Sequence, residues 1–264
     1  MSVPNAEFEV GLRGLRGLRR LSSVAGLLML LQGMLLAGIL STRVDHALLP
    51  ITVDFSGGAG ERVELSQVDV GLGVVVLCVL VAVARLAVVI PAVFTRLSGR
   101  LRSNHHAARW TEFAFASSIT VFLVAQLNGI SDIGALVVIY AITSGMTLFG
   151  VLQERTTVRS GHPMLPLAFG AAVGIVPWGV IAFHQVGAGV VGDGPSVIVR
   201  VITLAMLAAA FAFAVTQWRE QRAALRGAHR VDGERVHVLL SVVQASLFAW
   251  LVVLGVVLPT GPGG

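Results

Sequence analysis

The chain has 264 residues, of which 55% are hydrophobic and 12% are charged. Because a soluble domain carries about 25% charged residues, this composition excludes an ordinary soluble domain and indicates a membrane protein. All 19 basic residues behind the net charge of +5 are arginines, and the single cysteine excludes both a disulfide framework and a multi-cysteine metal site.

Seven apolar segments follow one another along the chain. A membrane-spanning helix needs about 17–25 apolar residues, and only helices satisfy the backbone of such long segments inside lipid. The segments cover residues 21–40, 68–94, 107–127, 132–152, 165–186, 197–217 and 236–258. The sequence therefore predicts an all-α membrane protein, with a basic N-terminal arm at 1–20, a seven-helix domain at 21–258 and a short tail at 259–264.

The polar segments around the first helix have patterns of their own. In "GLRGLRGLRRL", residues 11–21, arginine recurs every three residues and would be spread around a helix. This spacing favours a surface arm in contact with anionic lipid over an amphipathic anchor. In the loop at 42–67, two alternating β-prone runs flank "SGGAG", which predicts a short β-hairpin.

The arginines predict the orientation of the helices. Fourteen precede the first helix, follow the second and fourth, or lie between the sixth and seventh, against three on the other side. Cytoplasmic loops carry such an excess of basic residues. We therefore expect a multi-pass protein of the cell membrane with a cytoplasmic N-terminus, an extracellular C-terminus and the hairpin in the first external loop. The arginines indicate topology and a possible cytoplasmic protein partner, not nucleic-acid binding.

The most specific motifs lie in four of the helices. "RWTEFAFASS" begins at Arg109 and "MTLFGVLQE" begins at Met146. "GIVPWGVIAF" begins at Gly174 and "GERVHVLLSVVQASLFAW" begins at Gly233. Over nearly its whole length the chain resembles the heliorhodopsin family. The resemblance implies a rhodopsin-like seven-helix bundle of inverted topology that forms a homodimer.

The resemblance also implies a retinal site, which this chain cannot complete. In the family, retinal forms a protonated Schiff base with a lysine of the seventh helix, and a glutamate of the third helix is the counterion. By resemblance the carboxylate is Glu112, and the position of the lysine, four residues after Ser241, is Ala245. The chain contains no lysine, and an alanine methyl group cannot form an imine. The sequence therefore excludes covalent attachment of retinal by this chemistry.

Charged side chains remain at the predicted depth of the missing Schiff base. The resemblance places Met29 and Arg85 where the family has two intramembrane histidines. Ionisable groups inside a membrane are usually paired, and a bidentate pair of Arg85 with Glu112 would satisfy both side chains. In the alternative, Arg109 pairs with Glu112 from three residues earlier on the same helix, and Arg85 extends to the lipid headgroups.

Other residues are expected to line the former retinal cavity. The predicted lining comprises Met29, Ser117, Ser118, Thr143, Met146, Trp178, Ser241 and Gln244. The hydroxyl residues are equally typical of helix packing, and Gln244 can bond a neighbouring helix. "GAAVG" at 170–174 is a GxxxG motif, which is compatible with a dimer face. His237 and His184 lie near helix ends and are expected at the interface.

Two functions from different classes fit these patterns. The first is a non-photochemical sensory, regulatory or scaffold protein that keeps the family fold. The second is a noncovalent binder of retinal, a carotenoid or another apolar ligand. A transporter or channel is a weaker alternative, because the sequence shows no second intramembrane acid, no proton relay and no paired helix breaks. No metal-ligand or catalytic motif is present in the sequence, so we do not expect an enzyme.

Overall fold

Helices form most of the chain in the computed structural model, which describes residues 3–54, 62–102, 106–156, 164–192, 194–226 and 231–258. The helices are α1 Val3–Ser41, α2 Val70–Ala87, α3 Pro91–Arg102, α4 Ala107–Leu127, α5 Ile133–Thr156, α6 Leu165–Gly174, α7 Val176–Val191, α8 Val197–Leu225 and α9 Val231–Val252. A π-helical turn, Val253–Val257, continues α9. The strands are β1 Leu48–Asp54 and β2 Arg62–Asp69. The predicted tail at 259–264 lies outside the described residues.

Within the described residues, seven helical spans are long and apolar enough to cross a membrane. They are Gly14–Ser41, Val70–Ala87, Ala108–Leu127, Ile133–Arg155, Leu165–Val191, Val197–Leu225 and Gly233–Val257. Their outward faces carry large apolar side chains, such as those of Leu148 and Phe183, as expected of helices in lipid. The predicted seven-helix membrane fold is confirmed.

The first two segments have different limits from those predicted. α1 begins at Val3, so the segment predicted as a surface arm is helical and continuous with the first span. The leucines of its three-residue repeat explain this, since Leu15 and Leu18 are buried and Leu18 packs with Val238 of α9. α2 ends at Ala87, and a separate helix begins at Pro91, because proline disfavours a helical conformation in the residue before it.

The fifth span consists of two helices, α6 and α7, which meet at Ile175. Pro177 lies in the first turn of α7 and has no N–H to continue the helical hydrogen bonds. The glycines of the GxxxG motif face α5 of the same chain. A Cβ atom on Gly170 would lie 3.0 Å from Cβ of Phe149, and one on Gly174 would lie 2.5 Å from Sδ of Met146. These glycines therefore serve packing inside the protomer, and the motif gives no support to a dimer face.

The predicted β-hairpin is confirmed. β1 and β2 pair antiparallel from Leu48–Asp69 to Asp54–Arg62, with a bulge between Ile51 and Thr52. The N–H of Thr52 donates to the carbonyl oxygen of Ser131, at 2.8 Å, between α4 and α5. Asp69 ends β2 and caps α2 by accepting from the N–H of Leu72 at 3.0 Å. The hairpin thus joins the α1–α2 connection to the α4–α5 connection, and this end of the bundle is called the hairpin end.

Close packing of α5 on α4 makes Gly150 sensitive to substitution. A Cβ atom on Gly150 would overlap the indole ring of Trp110, whereas one on Gly145, in the same helix, would meet no atom within 4 Å. We expect Gly150→Ala to lower the free energy of unfolding by about 1–3 kcal/mol, because overpacking displaces the indole. Gly145→Ala is the matched control and should not destabilise the helix. Denaturant unfolding in detergent measures both, and equal stabilities would contradict the prediction.

Candidate functional site

Glu112 lies at the centre of a buried polar contact between three helices. Its Oε1 atom accepts from Nη2 of Arg85 at 2.7 Å and from Oγ of Ser241 at 2.6 Å. α4 supplies the carboxylate, α2 the guanidinium and α9 the hydroxyl group. All three residues are buried, with Arg85 only 4% and Glu112 6% exposed. Of the two pairings considered from the sequence, the structure has Arg85 with Glu112.

The pair differs from the bidentate geometry expected of it. One guanidinium nitrogen contacts one carboxylate oxygen, and Nε of Arg85 has no hydrogen-bond partner among the described residues. The free Nε leaves one donor of Arg85 available for a water molecule.

Ala245 lies one helical turn after Ser241 and is buried. A cavity of about 10 Å³ separates it from Glu112 and is also lined by Ser117 and Gln244. About 10–15 Å³ is the space that one water molecule needs. The place that the resemblance assigns to a Schiff base is therefore filled by the protein's own side chains.

Arg109 does not contact Glu112, and the alternative pairing is wrong. Its Nη1 atom lies 2.6 Å from Oε2 of Glu220 and 3.4 Å from Oε1 of Glu234. Its Nη2 atom lies 3.5 Å from Oε1 of Glu154. Arg109 is 4% exposed, and its guanidinium connects α4 to the ends of α5, α8 and α9.

His106, which the sequence indicated only as half of a poor metal site with the adjacent His105, joins the same group of charges. The backbone N–H of His106 donates to Oε2 of Glu154 at 2.9 Å, and the ring Nδ1 atom of His106 lies 2.9 Å from Oε1 of that carboxylate. Its Nε2 atom lies 3.4 Å from Oε1 of Glu234. Trp110 Nε1 also donates to Glu154 Oε1, at 2.8 Å. The group is called the charge cluster and consists of His106, Arg109, Glu154, Glu220 and Glu234.

The charge cluster adds three acids to the one that the sequence placed in the helices. Glu154, Glu220 and Glu234 all lie within membrane-spanning helices. Glu154 and Glu234 are buried, and Glu220 is partly exposed. The cluster joins one end each of α4, α5, α8 and α9. The arginines that follow the fourth predicted helix, and those between the sixth and seventh, lie at this end, which is called the arginine-rich end.

Several residues of the predicted lining serve packing instead. Met29 is completely buried, with its Sδ atom 3.5 Å from Oγ of Ser246. Thr143 donates to the carbonyl oxygen of Ile139 at 2.7 Å, one turn earlier in its own helix. Ser117 likewise bonds the carbonyl oxygen of Phe113. Ser118 is buried, and its Oγ atom has no hydrogen-bond partner in the described part of the chain.

A larger cavity of about 170 Å³ lies between α4, α5, α6, α7 and α8. Met146 and Trp178, both predicted as lining residues, belong to its wall. Phe113, Phe213 and His237 line this cavity and also the small one beside Ala245. The ring centroids of Phe113 and Phe213 are 4.9 Å apart, and those of Phe213 and His237 are 5.2 Å apart. His237 is therefore buried between the cavities, and its position near the membrane interface remains a prediction.

These features define a seven-helix membrane protein with a buried Arg–Glu–Ser contact and a second cluster of charges at one end. The family model named Heliorhodopsin matches residues 18–257, so the chain belongs to the heliorhodopsin family. A search of curated proteins finds no match. The family resemblance inferred from the sequence motifs is thus confirmed.

Proposed function

We propose that this heliorhodopsin-family protein works without a covalent chromophore, as a sensory, regulatory or scaffold protein of the cell membrane and not as an enzyme. The observation that carries the proposal is the contact of Arg85 and Ser241 with Glu112. A carboxylate in this position would neutralise a protonated Schiff base, but here a permanent cation already neutralises it. Arginine stays charged under all physiological conditions, so the pair cannot be altered by isomerisation of a chromophore.

The packing around Ala245 supports the same proposal. The cavity beside Ala245 has a volume of about 10 Å³, whereas pockets for small organic ligands measure about 300–1,000 Å³. A polyene that reached Ala245 would have to displace Phe113, Phe213 and His237, which separate this cavity from the larger one. The missing lysine and the small volume beside Ala245 therefore both argue against a covalently bound retinal.

An absorption spectrum tests the proposal. The native protein, Ala245→Lys and Ala245→Lys/Arg85→Met are purified after expression with all-trans retinal. We expect no visible band from the native protein, because it has no amine for the imine. A band should form more readily in the double variant than in Ala245→Lys alone, since Arg85 otherwise competes with the Schiff base for Glu112. A red-shifted band in the native protein would contradict the proposal.

A noncovalent apolar ligand is the second candidate function, and the larger cavity supports it. Its volume of about 170 Å³ is close to that of engineered apolar cavities of about 150 Å³, which bind benzene. A small apolar molecule or part of a lipid chain suits this volume better than retinal or a carotenoid does. Mass spectrometry of organic extracts from purified native protein and from Ala210→Leu, a substitution in the cavity wall that would fill the space, tests this candidate. Equal recovery of every extracted compound from both proteins would count against it.

Partners and orientation belong to the proposal as well. The N-terminus is assigned to the cytoplasm from the arginine distribution, and a protein partner would bind at the arginine-rich loops. A homodimer is proposed from family membership. Protease accessibility of tags at the two termini in sealed vesicles tests the orientation, and cross-linking in native membranes tests the dimer.

A further inference from the structure

The charge cluster holds more negative than positive charge. Glu154, Glu220 and Glu234 supply three carboxylates, and Arg109 supplies one guanidinium. In the described part of the chain, the ion pairs of these carboxylates are with Arg109 and His106. With His106 neutral, the excess is two negative charges, and with His106 charged it is one. A buried charge without compensation is strongly unfavourable. Since Glu154 and Glu234 are buried, a further positive charge would stabilise the cluster.

Carboxylate oxygens that accept no hydrogen bond show where that charge can bind. Oε1 of Glu220 and Oε1 of Glu234 accept no hydrogen bond from the described residues. Oε1 of Glu234 lies 3.4 Å from nitrogens of Arg109 and His106, so its contacts are long ion pairs. Glu234 is 7% exposed, so bulk water does not satisfy its buried oxygen. The side chain of Glu220 is 20% exposed, against 3% for that of Glu154. A small cation or a proton from solvent at the arginine-rich end can therefore reach the cluster at Glu220.

A small cavity with a mixed polar and apolar wall lies between the charge cluster and the Arg85–Glu112 pair. Its volume is about 20 Å³, and its wall includes Arg85, His106, Arg109, Glu112 and Glu234. Both arginine Nε atoms are buried without a hydrogen-bond partner among the described residues. A cavity of this size, with several unsatisfied polar atoms on its wall, meets the requirements of an ordered water molecule.

We propose that the charge cluster is a proton-binding site that exchanges protons at the arginine-rich end, and that water in the adjoining cavity links it to Glu112. The proton belongs to the coupled group and not to one residue. The ionisable groups that face it are Arg85 from α2, Arg109 and Glu112 from α4, Glu154 from α5, Glu220 from α8, and Glu234 and His237 from α9.

A proton fits the cluster better than a metal cation does. The guanidinium of Arg109 lies between the three carboxylates, where it occupies the position that a bound metal ion would take. Among the described residues, no group of three or more His, Cys, Asp or Glu side chains is arranged to hold a metal ion. A proton needs no coordination sphere and can bind directly to a carboxylate oxygen that accepts no hydrogen bond, such as Oε1 of Glu220.

Thermal unfolding of the purified full-length protein in detergent tests the proposal. The measurement runs from about pH 5 to about pH 8, once with sodium and once with N-methylglucamine as the only cation. Because the folded state binds one proton more than the unfolded state, stability should fall as pH rises. We expect the unfolding temperature to fall by about 3–5 °C per pH unit where the proton is released, equally with both cations. A flat profile, or one that depends on sodium, would overturn the proposal.

Two isosteric substitutions assign the effect to the cluster. Glu234→Gln removes one negative charge, so the cluster binds the proton less tightly. The slope, which is the change in unfolding temperature per pH unit, should then drop by about half or more. Glu220→Gln, at a partly exposed position, should act in the same direction if Glu234→Gln does not fold. Glu64→Gln on the exposed β2 strand is the control and should keep the native slope. Full slopes in both cluster variants would refute the proposal, and since no measurement uses retinal, the result is separate from that of the proposed function.

Discussion

Replacing Arg109 by leucine is expected to lower the free energy of unfolding by at least about 3–5 kcal/mol, the cost of leaving a buried charge without its partner. Arg109 contacts Glu154, Glu220 and Glu234 at once. Its removal therefore leaves three carboxylates that must either repel one another or take up protons. The yield of folded protein and its unfolding in denaturant measure the effect.

Two further variants show whether geometry matters as well as charge. Arg109→Lys keeps the positive charge, but a single ammonium group cannot reproduce the fork in which Nη1 contacts α8 and α9 while Nη2 contacts α5. We expect a stability between those of the native protein and Arg109→Leu. Arg96→Leu, at an exposed position of α3, should have little effect. If Arg109→Leu were as stable as Arg96→Leu, the cluster would have no structural role.

Replacing Arg85 by leucine is the second substitution with a large expected effect. It leaves Glu112 buried with only the hydroxyl group of Ser241 as a partner, and about 3–5 kcal/mol of stability should be lost. The double variant Arg85→Leu/Glu112→Leu should recover most of that loss, because a buried ion pair can often be replaced by apolar residues without cost.

The four proteins of this double-mutant cycle are compared by unfolding in the same detergent. A coupling energy of about 0.5–3 kcal/mol is typical of residues in direct contact, and we expect a value in the upper part of that range. Additive effects of the two single substitutions would show that Arg85 and Glu112 do not interact in solution.

The number of helices and the hairpin could be predicted because they depend on local properties of the sequence. A run of apolar residues has a length that can be compared with the membrane, and alternating residues around glycines indicate a hairpin. The start of α1 could not be predicted, because Leu15 and Leu18 become buried only when α9 packs beside them. Pro91 could have predicted the break between α2 and α3. The break was missed because apolar residues on both sides of Pro91 continue the pattern of a single membrane-spanning segment.

The charge cluster was missed because of small errors at three helix ends. The predicted segments ended at residue 152, ended at 217 and began at 236, so Glu154, Glu220 and Glu234 each fell just outside a helix. In the structure all three lie inside helices. An acidic residue near the end of an apolar segment makes that end look like a loop. Here the acids lie inside helices because Arg109 neutralises part of their charge. The rotation of α4 about its axis directs Arg109 to these acids and Glu112 to Arg85. This rotation is set by packing between helices, so it could not be predicted from any local sequence pattern.

The two ends of the bundle are held by different forces. At the hairpin end, the N–H of Thr52 bonds the carbonyl oxygen of Ser131, and backbone hydrogen bonds of this kind carry no net charge. At the arginine-rich end, α4, α5, α8 and α9 are joined through ionised side chains. The hairpin end also contains an ion pair, between His46 and Asp69 at 2.7 Å, but that pair lies within the α1–α2 connection and does not join the helices to one another. We therefore expect changes in acidity, or the approach of a charged partner, to loosen the second end more than the first. Helix movement in this bundle should accordingly be smallest at the hairpin end and increase past Glu112 towards the arginine-rich end.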